Sequence, residues 1–180
     1  MNRLNTHYKQ IISYDLINKF NYTNSFQLSS IKNITVNLSS IKVALERKKI
    51  IQLLLAIELI TGQKGKITTS KKNKIHLKIK QGVIVGCKVN LNKKNSYIFL
   101  DNLITLILPH IKDFQGFTFN KNSFQILSFK LNNSLHFFEL QNEFLNFSDI
   151  PSLDISINLN SNNIKESSIL LNSFNFPIKK

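Results

Sequence analysis

The stretch Ile75-His76-Leu77-Lys78-Ile79-Lys80-Gln81-Gly82-Val83-Ile84-Val85-Gly86-Cys87-Lys88-Val89-Asn90-Leu91 carries the plainest pattern in this 180-residue chain. Apolar side chains alternate with basic or polar ones at Ile75, Leu77 and Ile79, and again at Val83, Val85, Cys87, Val89 and Leu91. Successive side chains of a strand point to opposite faces, so each run predicts a strand with one apolar and one basic face. Gln81 and Gly82 supply a turn between them, and the pair reads as a hairpin.

Upstream, Ile34, Val36 and Leu38 alternate with Thr35 and Asn37, which predicts another half-buried strand. Leu4, Tyr8, Ile11, Ile12 and Phe20 recur at near-helical spacing and predict an amphipathic helix ending before Asn21. A second helix is expected from Ile41 to Ile60, stopped at Thr61 and Gly62 because glycine reaches the left-handed conformation of a helix C-terminus. Downstream, Ser96 is placed to cap a helix from Tyr97 to about Leu108, with Pro109 ending it. Phe124 to Leu131, Leu135 to Leu140 and Leu153 to Leu159 read as further strands. Asn163 and Glu166 have capping-box spacing ahead of Ile169, Leu170, Leu171 and Phe174, which predicts a closing helix. No internal repeat or linker is visible. The expected fold is α+β, a single domain over residues 1–180 with an antiparallel sheet of about five strands covered by helices.

The chain holds 24 Lys and Arg against 10 Asp and Glu, a net charge of +14, and the excess is localised. No acidic residue occurs between Glu58 and Asp101, while that interval holds Lys64, Lys66, Lys71, Lys72, Lys74, Lys78, Lys80, Lys88, Lys93 and Lys94. Placed on the outer face of paired strands and the loop leading into them, these lysines are expected to form one patch. A patch of that kind suits a polyphosphate, because neutralising phosphates releases counterions and gives salt-sensitive affinity. A solvated basic surface without a ligand is the plain alternative. An anionic membrane surface is a third reading, although basic amphipathic helices are its usual vehicle. The hydrophobic fraction of 42% and 14 Phe argue against a disordered basic tail.

Other chemistry is hard to build from these residues. Cys87, the single cysteine, can form no internal disulfide and, flanked by Val85 and Val89, reads as a buried small hydrophobe. His7, His76, His110 and His136 have no metal-ligand spacing, so no metal site is expected. Gly62 and Gly65 lack the remainder of a dinucleotide or P-loop signature, so no cofactor is expected. His110 with Asp113 is the one acid/base pair close in sequence, and an exposed loop pair is the stronger reading. No catalytic constellation emerges. Phe114, Phe117, Phe119, Phe124 and Phe129 have the faces to stack on unpaired bases, but in alternating strands they read as core. The apolar runs Leu53 to Ile60 and Tyr97 to Leu108 fall short of the ~20 residues a membrane span needs, so no membrane insertion is expected. The opening residues lack secretory or transit character, an expectation that the chain is made where it is used. Abundant Asn, Lys, Ile and Phe with scarce Gly, Pro and Ala fit A/T-rich codons, as in an organelle genome or a reduced bacterial one.

Particular motifs carry a family resemblance. Ile60-Thr61-Gly62-Gln63-Lys64, then Lys71-Lys72, Ile79-Lys80-Gln81-Gly82 and Val85-Gly86-Cys87-Lys88-Val89 resemble the central signature of the L-five family of large-subunit ribosomal proteins. Phe99-Leu100, Leu103-Ile104, Leu108-Pro109 and Ile111-Lys112-Asp113-Phe114-Gln115-Gly116 are similar to its helix and proline exit. Leu153-Asp154-Ile155-Ser156-Ile157 and Leu170-Leu171 to Phe174-Asn175-Phe176-Pro177 resemble its last strand and C-terminal helix. Tyr8, Phe20-Asn21-Tyr22 and Ile34-Thr35-Val36-Asn37 extend the likeness to the N-terminal part.

The resemblance implies a non-enzymatic constituent of the large ribosomal subunit in the central protuberance. Its implied partners are 5S rRNA, large-subunit rRNA, P-site tRNA and neighbouring ribosomal proteins. Carried over by position, Asn37, Gln63, Lys64, Lys66, Thr68, Lys71, Lys72, Lys88 and Asn90 fall on the 5S rRNA side. Lys74, His76, Lys78, Lys80, Gln81 and Gly82 fall on the tRNA side. Lys74-Ile75-His76 stands where the family usually has an Ala-Gly pair, Asn90 where a Thr is usual, and Thr118 to Asn133 has lost a Gly-rich, Arg-containing character. Divergence beside a retained centre implies an organelle-encoded copy in a mitochondrion, with plastid or bacterial cytoplasm as alternatives. A free basic RNA-binding or RNA-chaperone module on the same fold is the alternative function.

Overall fold

The structure is a computed structural model and describes residues 2–112, 114–119 and 125–178. Five strands form one antiparallel sheet, which with its helices is the α+β architecture expected from the sequence. They are β1 (Ser30–Ser39), β2 (Lys66–Thr69), β3 (Ile84–Asn92), β4 (Ile126–Leu131) and β5 (Leu153–Asn160), in the order β2-β3-β1-β5-β4. Two compact units are distinguished: 1–34, 91–129 and 156–180 in one, 35–90 and 130–155 in the other.

Period-two burial defines the sheet. Ile34, Val36 and Leu38 on β1, Cys87, Val89 and Leu91 on β3, and Leu153, Ile155, Ile157 and Leu159 on β5 are all buried, while their alternating neighbours are polar. Fully burying side chains of this size is worth about 1.5–3 kcal/mol each, so the alternation specifies strand register.

In the unit holding the N-terminus, Leu4, Ile12 and Leu16 line the buried side of a helical run: α1 (Arg3–His7), a π-helical turn (Tyr8–Ile12) and α2 (Ser13–Lys19). It ends at Phe20, which is extended, as the pattern predicts. The helix expected from Tyr97 is α5 (Lys94–Asn102), continued by a π-helical turn (Leu103–Ile107) and a 3-10 turn around Pro109. Ser96 is not its cap. It lies inside the first turn, buried, with Oγ donating to the Lys93 carbonyl, and Lys93 takes φ +51° at the N-cap. Phe129 belongs to β4; Phe124, expected to open that strand, lies outside the described residues. Phe114, Phe117, Phe129 and Phe176 pack ring against ring, with centroids 4.1–6.0 Å apart; Phe176 is buried and the other three are half-buried, at the margin of the core and not inside it as the sequence pattern predicts. The closing helix, α8 (Ile164–Ser173), starts after Asn163 as expected. The expected capping box does not close: Asn163 makes no side-chain cap bond, and Glu166 reaches back past it to accept from the Asn162 amide and from the buried Ser29 hydroxyl.

In the other unit, the single helix expected from Ile41 to Ile60 is two: α3 (Ile41–Leu45) and α4 (Lys49–Thr61). Glu46-Arg47-Lys48-Lys49 has no apolar side chain to bury, and Glu46 leaves helical geometry while its carboxylate pairs with Lys49 at 3.1 Å. Helix α4 ends on Gly62 at φ +64°, as expected. The segment Leu135 to Leu140 is not a strand. Asn133 accepts from the Leu135 amide to open a 3-10 turn, followed by the short helices α6 (Phe138–Gln141) and α7 (Phe144–Phe147). Phe137, Leu140 and Phe147 are buried at intervals of three and seven, a helical spacing.

The hairpin also differs from its expectation. Ile75 to Ile79 is not the partner of β3; the partner is β2, in register Lys66 with Lys88, Ile67 with Cys87, Thr68 with Gly86. Ile75–Leu77 forms a 3-10 turn, and Lys78 adopts φ +54°. Of the three apolar residues that suggested a strand only Ile79 is buried, and Ile75 is 87% exposed.

Candidate nucleic-acid interface

Gly65 decides how α4 meets the sheet. A Cβ at this position would lie 2.7 Å from Ile57 and 3.8 Å from Cys87, so α4 packs on the Cys87 face of the β2–β3 ladder. The opposite face stays open. It presents Lys66 and Thr68 from β2 and Lys88 and Asn90 from β3. Lys66 and Lys88 are directly paired and both exposed, two like charges where an isolated sheet would favour opposite ones. On the helical side, by contrast, α4 exposes Ile51, Leu55 and Leu59.

Beside the lysine pair runs an open groove of about 490 Å³, lined by Asn37 and Ser39 of β1, Thr68 of β2, and Lys71, Lys72 and Lys74 beyond it. Close approach of β1 to β3 builds it. A Cβ at Gly86 would lie 2.1 Å from the Leu38 carbonyl oxygen, so only glycine admits this contact. The sequence-predicted residues Asn37, Thr68, Lys71 and Lys72 therefore meet in one place, with Lys66, Lys88 and Asn90 on the adjoining ladder. Gln63 and Lys64 do not line the groove; they sit exposed on the turn after Gly62, whose backbone is held by Thr61 Oγ1. Lys93 and Lys94 stand apart from this cluster in sequence and open α5.

The residues from Lys74 to Gly82 form a built loop. Its neck closes where the Ser70 amide donates to the Val83 carbonyl and the Gly82 amide to the Ser70 carbonyl, each at 2.9 Å. A second closure follows: Lys74 and Ile79 exchange backbone hydrogen bonds at 2.8 and 3.1 Å. Asn73 Oδ1 accepts from the Gln81 amide at 2.6 Å, and Gly82 turns the chain at φ +82°. A concave tip of about 470 Å³ results, lined by Asn73, Lys74, Ile75, Lys78, Ile79, Lys80 and Gln81. Lys74, His76, Lys78, Lys80, Gln81 and Gly82 are all exposed on this loop.

Sequence reasoning missed Ser39 in the groove, the brace at Asn73 and the anchoring of the loop by buried Ile79. The signal for Asn73 was its place before a Lys-rich run closed by Gln-Gly, which reads as a turn only once the strand assignment of Ile75 to Ile79 is given up.

Elsewhere, no group of three His, Cys, Asp or Glu is arranged to hold a metal among the described residues, and none of their helices is long and apolar enough to cross a membrane. Cys87 is wholly buried, and desolvation pushes its thiol up to about 11. His110 contacts the Leu106 carbonyl of its own helical turn; Asp113, its suggested acid/base partner, lies outside the described residues.

A β2–β3 ladder with α4 on one face and paired, exposed lysines on the other defines a class: α+β proteins with an open, cationic sheet face. Comparison with known proteins narrows the class. Residues 84–178 match the model of the C-terminus of the ribosomal L-five family. The large ribosomal subunit protein uL5m of Reclinomonas americana is 39% identical over 181 residues, covering all of both chains. The uL5c protein of Stigeoclonium helveticum is 38% identical over 98% of each, and the uL5 protein of Wigglesworthia glossinidia brevipalpis 35% identical over 96% of this chain and 97% of its own. The chain belongs to the ribosomal L-five family, a family of structural proteins and not of enzymes.

Proposed function

We propose that this chain is a structural constituent of the large ribosomal subunit, holding 5S rRNA on its lysine-bearing sheet face and offering the loop 74–82 to P-site tRNA. Residues 1–180 serve as one ribosomal RNA-binding unit whose partners are rRNA and neighbouring ribosomal proteins. The observation that carries this reading is the direct pairing of Lys66 with Lys88 beside a groove lined by Asn37, Lys71 and Lys72. Like charges in register weaken the free sheet and strengthen its hold on phosphates. Lysines neutralise phosphates, while Asn and Gln side chains fix register on ribose and base edges. The concave loop tip, closed twice by backbone bonds, is shaped before it meets its partner. The uL5m and uL5c relatives, together with an amino-acid composition of the kind A/T-rich codons give, support an organelle ribosome, and the full-length match to uL5m supports the mitochondrial one.

The test is a salt titration of binding to 5S rRNA. Replacing Lys66, Lys71 and Lys72 with Ala should lower affinity and flatten the logarithmic salt slope by roughly 2, at about 0.7–0.9 per phosphate contact. An unchanged slope counts against the patch. The chain should also co-sediment with large subunits at high magnesium; a free RNA-chaperone module would not.

A further inference from the structure

Asp154 is the one carboxylate among the described strand residues. A fixed negative charge on a sheet face that meets phosphates is unfavourable for binding, and its place there calls for a reason. Strand β5 lies next to β1, and the half-buried Asp154 Oδ2 lies 3.4 Å from Asn37 Nδ2. A carboxylate offers acceptors alone, so the edge of the Asn37 amide turned toward it must be the NH2 group. The edge left over is the carbonyl Oδ1, and Asn37 lines the groove while Asp154 does not. Phosphate oxygens are acceptors and cannot pair with that oxygen.

We propose that Asp154 is a positioning residue that holds the Asn37 amide with Oδ1 as the free acceptor, so that the groove reads a hydrogen-bond donor of the RNA, a ribose 2′-hydroxyl or an exocyclic amino group, among the phosphate contacts made by lysine. This inference rests on the RNA-binding reading above and assigns the chemistry read at one point of it.

The test pairs Asp154→Asn with Asn37→Ala. The side-chain amide that Asp154→Asn introduces offers either edge, so Asn37 loses its fixed orientation. Affinity for 5S rRNA should fall roughly five- to tenfold, the size of one hydrogen bond, with the salt slope unchanged because no phosphate contact is lost. Simple removal of a negative charge would act in the opposite direction and tighten binding. The double variant should bind no more weakly than Asn37→Ala alone. In the free protein, the Asn37 side-chain amide signals of a 15N-resolved spectrum should move in Asp154→Asn while the backbone spectrum stays dispersed. Should Asp154→Asn fail to fold, Asp154→Ser is read in the same way. Binding by Asp154→Asn as tight as or tighter than the parent, or losses that add in the double variant, overturns the inference alone. A parent chain that does not bind 5S rRNA overturns the RNA reading and this inference with it.

Discussion

Cys87 shows how one residue reports on the packing around it. Its thiol is pushed from 9.0 up to about 11 by desolvation, and its side chain is fully enclosed between the sheet and α4. The native chain should therefore resist iodoacetamide at pH 8 and be modified only on unfolding, which mass spectrometry of a denaturant series would read. A folded-state value above the unfolded one makes this group's contribution complete below about pH 9 and loses it as pH rises toward 11, because the unfolded chain gives up its proton first. Tyr8 and Tyr97, both raised by burial, extend the loss beyond pH 10. Denaturant midpoints measured at pH 7, 9 and 11 should fall in that order. Gly86 is the second informative residue. Gly86→Ala sets a Cβ 2.1 Å from the Leu38 carbonyl oxygen, and strands cannot part locally without losing ladder bonds. It should destabilise the chain by about 2 kcal/mol or more, seen as a lowered thermal midpoint. Cys87 was readable as a buried hydrophobe from its apolar neighbours alone; the close approach at Gly86 was not, because it depends on β1 lying beside β3.

At the level of elements, the β2–β3 ladder carries a conflict between folding and binding. Lys88→Glu would set opposite charges across from each other at Lys66. The free protein should gain about 0.2–1 kcal/mol, while 5S rRNA affinity falls; circular dichroism melts and filter binding on the same preparation would show the two moving apart. The ladder also shows where period-two reasoning fails. Ile75, Leu77 and Ile79 alternate as cleanly as Val85, Cys87 and Val89 do, but only Ile79 is buried, Ile75 and Leu77 stay exposed with no apolar layer to face, and the chain turns back on itself through Lys78 at φ +54°. Alternation describes a strand only where a sheet exists to receive it. The segment Leu135 to Leu140 failed for a related reason: Phe137 and Leu140 bury at helical spacing beneath a turn opened by Asn133. Strands β1, β3 and β5, whose alternation runs over a full buried face, were legible throughout.

Taken as a whole, a molecule of net charge +14 responds to salt in two senses. Screening relieves repulsion within the free chain, so its melting temperature should rise between 50 and 500 mM salt, concentrations chosen at roughly the range over which the Debye length contracts below about 10 Å. Over the same range its affinity for RNA should fall by orders of magnitude. The candidate site was legible in part: acid-free spacing located the lysines, and the family motifs located Asn37. Juxtaposition was not legible, since Asn37 and Asp154 are 117 positions apart and meet only through the strand order.

The double closure of the loop has a consequence for how such chains diversify. Because Ser70, Gly82 and Val83 seal the neck before Lys74 and Ile79 seal it again, the four residues 75–78 lie outside both ladders. Insertions or deletions among them leave every rung beneath in phase. The finger's reach is thus an adjustable quantity, free to lengthen or shorten from lineage to lineage and open to a grafted reporter, while the platform that carries it keeps its geometry.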